Sequence, residues 1–436
     1  MKNWQFIIGV FGLVLFFSGC DSPSSMEDPE GSHFIKFYGR DGDQTGRDFI
    51  VLPDGSMVLF GTTRPTDATT KGTEWYLVKV DPKGNVLWEK EFGRVYDDEA
   101  SDIELTANGR IVLLGNSYNM DGDRDILIKT LTLDGVEVNS NVIVVRDGAG
   151  APTIGDEIAT SVTETTDGFI ISGSTTFVYF KSPVGGLTDA RDALKVRLNS
   201  DLTAYPNSWV QTYGYFSDDA SEKIIQVSAN LFYVFGYTNS LPPAQSIPNY
   251  NFWIYSLGAN GDFLNSQLYP GTPSGNERMS SFATSPSISI DGYFLGGLSQ
   301  KSGSPSEFYI AKLRNQLGFV TSDIQYEKPL SVSLGSNLND RTSVWASQSG
   351  GFYIMGNENG FDNNQNWVLT KVNLDGSLAW SLPIVFGGDG LDECGAMKEL
   401  PDGKIILIGT MRTGRPDAGE FKLTLVKVSA NGKFEN

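Results

Sequence analysis

Histidine is almost missing from this chain. A single residue in 436, His33, leaves no Ser-His-Asp triad and no histidine-ligated metal centre. Cysteine is nearly as scarce, with only Cys20 and Cys394. Cys394 stands at the start of a predicted inner strand, in Glu393-Cys394-Gly395-Ala396. There it reads as a small buried hydrophobe rather than a nucleophile. Positive charge is also short: 33 Lys and Arg against 52 Asp and Glu give a net charge of −19. That excludes nucleic acid as a partner, because phosphate binding needs a basic face. It suits a soluble surface and cationic or basic ligands. No window has a helical period, and the longest apolar run, Trp4 to Phe17, falls short of the ~20 residues that span a bilayer.

That run follows Met1-Lys2-Asn3 and leads into Ser18-Gly19-Cys20. One positive charge, a short apolar core and small residues before a cut are the parts of a secretory signal. Ending on Cys, the stretch resembles the bacterial lipoprotein lipobox, with Phe17 where Leu is usual. The resemblance implies a signal peptide over residues 1–19 and acylation of Cys20, hence an exported lipoprotein of the outer membrane, on either face of it. Residues 20–32 are polar and rich in Ser and Pro, as expected of a flexible tether. Residues 33–436 remain for a single domain. The chain's 49 glycines suit many tight turns, and 40% hydrophobic and 12% aromatic content suits a packed core.

A turn followed by an apolar run ending in Gly recurs seven times. The terminal glycines are Gly61, Gly115, Gly173, Gly236, Gly297, Gly356 and Gly409. Turns such as Asp54-Gly55, Asn108-Gly109 and Asp402-Gly403 precede them, a strong hairpin signal. Each unit adds a third run, most with a lysine (Lys79, Lys129, Lys195, Lys312, Lys371, Lys427), and then a fourth. The fourth carries an aromatic and ends on Gly, as in Trp88-Glu89-Lys90-Glu91-Phe92-Gly93. Four short antiparallel strands per ~58 residues, seven times over, predict an all-β, seven-bladed propeller. Phe34-Ile35-Lys36-Phe37-Tyr38-Gly39 looks like a fourth run standing alone at the front, while the last unit lacks one. Residues 34–39 are therefore expected to complete the last blade, beside Phe421–Val428, and close the ring.

The repeat resembles those common in exported lipoproteins of the Gram-negative envelope. Asp81-Pro82-Lys83-Gly84-Asn85-Val86-Leu87-Trp88 is, more weakly, similar to the repeat of quinone-dependent dehydrogenases and of the propeller lipoprotein that scaffolds outer-membrane protein assembly. Most units lack the tryptophan-docking motif, so no quinone site follows. The resemblance speaks to fold and cellular address, not to activity.

Acids recur 16 or 17 residues before the terminal glycines: Asp98, Glu99, Asp156, Glu157, Asp219, Asp340, Asp392 and Glu393. Blade five has Glu277 somewhat earlier, and blade one has Asp48. They are expected to ring the central opening, as a cation or basic-group site, or else to cap turns and tie blades through backbone N–H groups. Asp121-Gly122-Asp123-Arg124-Asp125 and Asp41-Gly42-Asp43 have alternate carboxylates and admit a calcium ion, but both lack the bidentate Glu of a calcium loop. Otherwise no cofactor is expected. Loops 177–191 and 239–251 are long and carry Tyr179, Phe180 and Tyr250, candidates for ligand contact.

The function expected from these features is a lipid-anchored binding or scaffold module for a protein or glycan partner, an accessory subunit of an outer-membrane complex being one form. The alternative is an enzyme cleaving polysaccharide or peptide with carboxylates on the loop face. Cavity carboxylates with raised pKa values would favour the enzyme, and a flat aromatic patch without such a cavity would favour binding.

Overall fold

The structure is a computed structural model that describes residues 26–27, 32–64, 72–145, 155–176, 191–204, 210–214, 217–241, 245–269, 275–284, 292–335, 337, 340–360, 364–388, 390–414 and 419–434. Its strands form seven antiparallel sheets. Blade one runs Asp43–Val51, Met57–Arg64, Glu74–Val80 and Val86–Phe92, from the inner strand outward. The next five blades repeat that order. Among the described residues the only helical piece is a 3-10 turn, Thr321–Asp323.

Blade seven takes Glu393–Glu399, Ile405–Thr413 and Glu420–Val428 from the C-terminal end. Its fourth strand is Phe34–Tyr38, paired residue by residue from Phe34↔Lys427 to Tyr38↔Leu423. The N-terminal clasp thus closes the ring as the repeat predicts. A two-residue strand, Met26–Glu27, pairs outside it with Ile35 and Phe34.

The hydrophobic clusters lie between blades rather than within them. Phe60, Trp75 and Leu77 of blade one pack with Ile103, Leu113 and Leu127 of blade two. Burying each such side chain contributes roughly 1.5–3 kcal/mol. Outer strands then clamp the turn of the following blade. Tyr38 donates its hydroxyl to Gly84 O at 2.8 Å, and Lys90 Nζ reaches Asp134 O at 2.7 Å. Gly84 (φ 77°) sits in this turn because only a left-handed residue fits it, and a Cβ there would meet the Phe34 ring at 3.0 Å.

A β-bulge shapes the channel side of most blades. In blades one to five the inner strand gains one residue just after the position facing the recurrent glycine: Arg47, Ser101, Thr160, Glu222 and Ser280. Blade seven also gains one residue, Gly395 and Ala396 together standing opposite Ile408. The bulge also explains the glycines. A Cβ on Gly61, Gly115, Gly173, Gly236 or Gly297 would lie 1.7–2.1 Å from a carbonyl oxygen of the inner strand. In blade six the inner strand's pairing among the described residues ends at Ser343↔Met355, one residue short of Gly356. There the Phe308 ring, 2.6 Å from where a Cβ would stand, excludes a side chain from Gly356 instead.

Candidate functional site

The inner strands of all seven blades surround a central channel with a cavity of about 550 Å³. Its upper end is the face on which inner strands begin. Bulges re-aim side chains, and here the inserted residues line the channel. The lining carries four cations, Arg47, Lys223, Arg341 and Lys398, and four acids, Asp48, Asp102, Glu104 and Glu222. Ser101, Thr160, Ser280 and Thr342 add hydroxyls.

Several of these groups serve the ring itself. Inner strands expose an unpaired edge, and side chains of the neighbouring blade satisfy it. Asp102 Oδ2 accepts from Val162 N at 2.8 Å, and Glu104 accepts from Glu164 N at 3.2 Å. Lys223 Nζ donates to Val162 O at 2.9 Å, and Lys398 Nζ donates to Phe49 O.

The remaining charges are unusual. Burial pushes Asp48 up to about 7 against the pull of Lys398, and the nearby Asp102 carboxylate adds to the rise. Burial likewise pushes Glu222 up to about 7, opposed by Arg278 and Arg47. On the blade-five inner strand, two residues before its bulge, the Arg278 guanidinium lies 4.2 Å from the Tyr237 ring and 5.0 Å from the Tyr250 ring. Tyr250 donates its hydroxyl to Asp218 at 2.7 Å.

Apart from Asp48, the acids singled out from sequence sit elsewhere. Asp98, Glu157, Asp219 and Asp392 are buried at the upper ends of their blades, not among the channel-lining residues. Each accepts from its own blade or from the connection leading into it: Glu157 from Thr175 at 3.3 Å, Asp219 from Thr238, Asp98 from Arg94 N at 2.6 Å, and Asp392 from Arg412 N at 2.8 Å. Glu277 does the same with Ser299 at 3.0 Å. Gln44, hydrogen-bonded to Thr63, fills the blade-one position in place of Asp48. Asp340 accepts from Asn337 N, and Asp156 pairs with Arg124 at 2.6 Å. Glu99 and Glu393 are exposed.

In the two acidic loops the carboxylates hold protein donors. Asp123 Oδ1 accepts from Gly155 N, and Asp43 Oδ1 from Phe421 N, both at 3.0 Å. Beside Asp41-Gly42-Asp43, the Lys422 ammonium donates to Gly42 O and Gln44 Oε1. Among the described residues no group of three or more His, Cys, Asp or Glu is arranged to hold a metal ion. Tyr179 and Phe180 lie outside the described residues. Cys394 is buried, and burial together with the nearby Glu393 charge raises its thiol pKa.

The third-strand lysines are not one set. Lys79, Lys312, Lys371 and Lys427 stand three residues after the partner of the recurrent glycine. Blade three has Arg197 at that position. Lys79, Arg197 and Lys427 each donate to a carbonyl in the following blade's turn: Leu133, Ala259 and Pro82. Lys195 instead occupies the position held by Leu77, Ile128, Ile254, Ile310, Leu369 and Leu425 in the other blades, and it is fully buried. Only the alignment of strands through their glycine partners separates Lys195 from the repeat.

No protein-family model matches the chain, and no curated protein matches it. Among solved structures, the extracellular region of plexin A4 is similar at a TM-score of 0.51 and 10% identity, over 90% of this chain and 40% of that one. This chain spans less than half the length of the plexin structures it matches. A glucose dehydrogenase is similar at a TM-score of 0.40 and 12% identity, over 91% of this chain and 99% of that one. An α-L-arabinanase of Penicillium chrysogenum, complexed with arabinobiose, has a TM-score of 0.44 and 10% identity, over 92% and 98%. The likeness is one of fold. The chain is a seven-bladed β-propeller, an architecture compatible with a binding or scaffold module.

Proposed function

We propose that the protein is a lipid-anchored propeller of the bacterial outer membrane, held through acylated Cys20, that binds a protein or glycan partner on its upper face. The observation that carries this reading is the Tyr237–Arg278–Tyr250 cluster, whose two rings meet edge to face with centroids 5.7 Å apart beside the guanidinium. Tyr237 is buried, so the half-buried Tyr250 ring and the Arg278 guanidinium are what the cluster offers, an apolar face beside N–H donors that suits sugars and peptides alike. The buried acids at the blade tops act as internal ties, so the recurrent carboxylates supply no repeated catalytic set.

A second reading, a hydrolase of polysaccharide or peptide, draws support from the raised pKa values of Asp48 and Glu222 inside the cavity. Two measurements separate the readings. Tagged protein recovered from detergent-solubilised envelopes, and probed on a glycan array, is expected to hold a partner that Tyr250→Ala weakens at least several-fold. Turnover of glycans or peptides that Asp48→Asn abolishes, with no stable partner recovered, would instead establish the enzyme. Palmitate labelling in the outer-membrane fraction, lost in Cys20→Ala, tests the anchor.

A further inference from the structure

Two opposite charges face the channel from non-adjacent blades, and among the described residues neither side chain has a hydrogen bond. Arg47 belongs to blade one and Glu222 to blade four, and each is the bulge residue of its inner strand. Arg47 Nε is buried without a hydrogen-bond partner. Among the described residues, the two side chains meet charged neighbours only through space, including each other. They form no salt bridge within 4.0 Å. Both residues are half-buried, and a fork donor with a buried Nε and a carboxyl acceptor facing it across one channel are what a ligand would complete.

The lining at this level narrows the ligand. Ser101, Thr160 and Ser280 hold the same bulge position in blades two, three and five. We infer that the channel binds a carboxylate-bearing sugar of the uronic acid class, its carboxylate on the Arg47 fork and its ring hydroxyls on Glu222 and the neighbouring hydroxyls. This rests on the glycan side of the reading above and gives it a substrate class and a place.

Arg47 presents a planar fork that matches the carboxylate of a uronic acid or of an amino acid in bidentate fashion. Two features favour the sugar over the zwitterionic amino acid. Among the surrounding charges stand hydroxyls that can exchange hydrogen bonds with a polyol: Ser101, and the remaining lone pairs of Thr160, which donates to Ser221 O at 2.7 Å, and of Ser280, which pairs with Thr342 at 2.9 Å. An acid that titrates near 7, as Glu222 does, can accept from a hydroxyl or donate to one, whereas an ammonium needs it fully ionised. The cavity of about 550 Å³ lies within the size range of small-molecule sites.

The test is calorimetric titration of the full chain in detergent with D-glucuronate, D-glucose and L-glutamate, on wild type, Arg47→Lys and Glu222→Gln. The inference expects glucuronate to bind at least ten-fold more tightly than glucose. Arg47→Lys, which keeps the charge and loses the fork, should weaken glucuronate about ten-fold. Glu222→Gln, nearly isosteric, should flatten the change in glucuronate affinity between pH 6 and 8. Unchanged circular dichroism melting of both variants shows that they fold. Equal binding of glucose and glucuronate, or an unaffected Arg47→Lys, overturns the site. Tighter binding of glutamate than glucuronate overturns the ligand class. If wild type binds glycans on an array but Arg47→Lys binds them equally well, this site fails while the glycan-binding reading stands. If no glycan binds at all, that part of the reading fails with it.

Discussion

Lys195 Nζ lies 3.5 Å from the centroid of the Tyr213 ring on the neighbouring strand, with the Tyr255 ring of blade four 4.6 Å away. Its one hydrogen bond among the described residues is a long one, 3.5 Å to Ala193 O. Burial holds the amine well below the usual lysine range, against the pull of Asp192 and Asp219. The folded state therefore favours the neutral amine, while the unfolded chain protonates it below about pH 10.4. More protons bound in the unfolded state mean that stability rises with pH across that window. Lys195→Leu, which restores an aliphatic residue as in the other six blades, is expected to raise stability at pH 7. Urea unfolding at several pH values checks this, since the gap from wild type should narrow toward pH 10. A destabilised Lys195→Leu would mean that the amine has a partner the ring needs.

Glu157 titrates in the opposite sense. Burial pushes it up to about 8, and Asp125 adds to the rise. Between about pH 4.3 and 8 the folded state holds a proton that the unfolded chain has lost, so stability falls as pH rises through that range. Glu157→Gln keeps an acceptor for Thr175 and carries no charge. It should be at least as stable as wild type at pH 8 and show a flatter pH profile by thermal melting. A steeper loss in the variant would refute the protonated assignment.

Gly236 stands where a Cβ would lie 2.0 Å from Ala220 O, in an inner strand held by its bulge. Gly236→Ala forces that backbone apart and is expected to cost about 3 kcal/mol or more. Gly403, at φ 84° in an exposed turn, has nothing within 4 Å of its added methyl. Gly403→Ala bears only backbone strain, about 1 kcal/mol. Denaturation midpoints of the two variants should rank in that order, and equal midpoints would remove the steric account of the recurrent glycines.

Phe34 is fully buried at the clasp, against Tyr38, Phe49 and Tyr76 in one cluster. Phe34→Ala is expected to cost about 3–5 kcal/mol. The loss should be local first: amide exchange of Leu423–Lys427, the strand paired with the clasp, should accelerate before that of blades three and four. Uniform acceleration around the ring would show that closure and blade packing break together.

The propeller was legible because its signals are local and repeated. A hairpin needs only a turn residue and alternating strands, and seven similar units leave one architecture that buries every face. The displaced clasp was legible for the same reason, since a fourth run stood at the front and was missing at the end. The recurrent acids were visible too, but their spacing does not say whether a carboxylate turns toward the channel or into its own sheet. A one-residue bulge decides that, and a bulge arises only when two strands pair. It carried Arg47 and Glu222 into the lumen and left Asp98, Glu157 and Asp219 as buried ties. Lys195 hid in the same way, two positions from Arg197 in a strand where either cation fits the pattern. Strand identity and order are thus written in local chemistry. The direction each side chain takes depends on register against a partner strand, which exists only once the ring has formed.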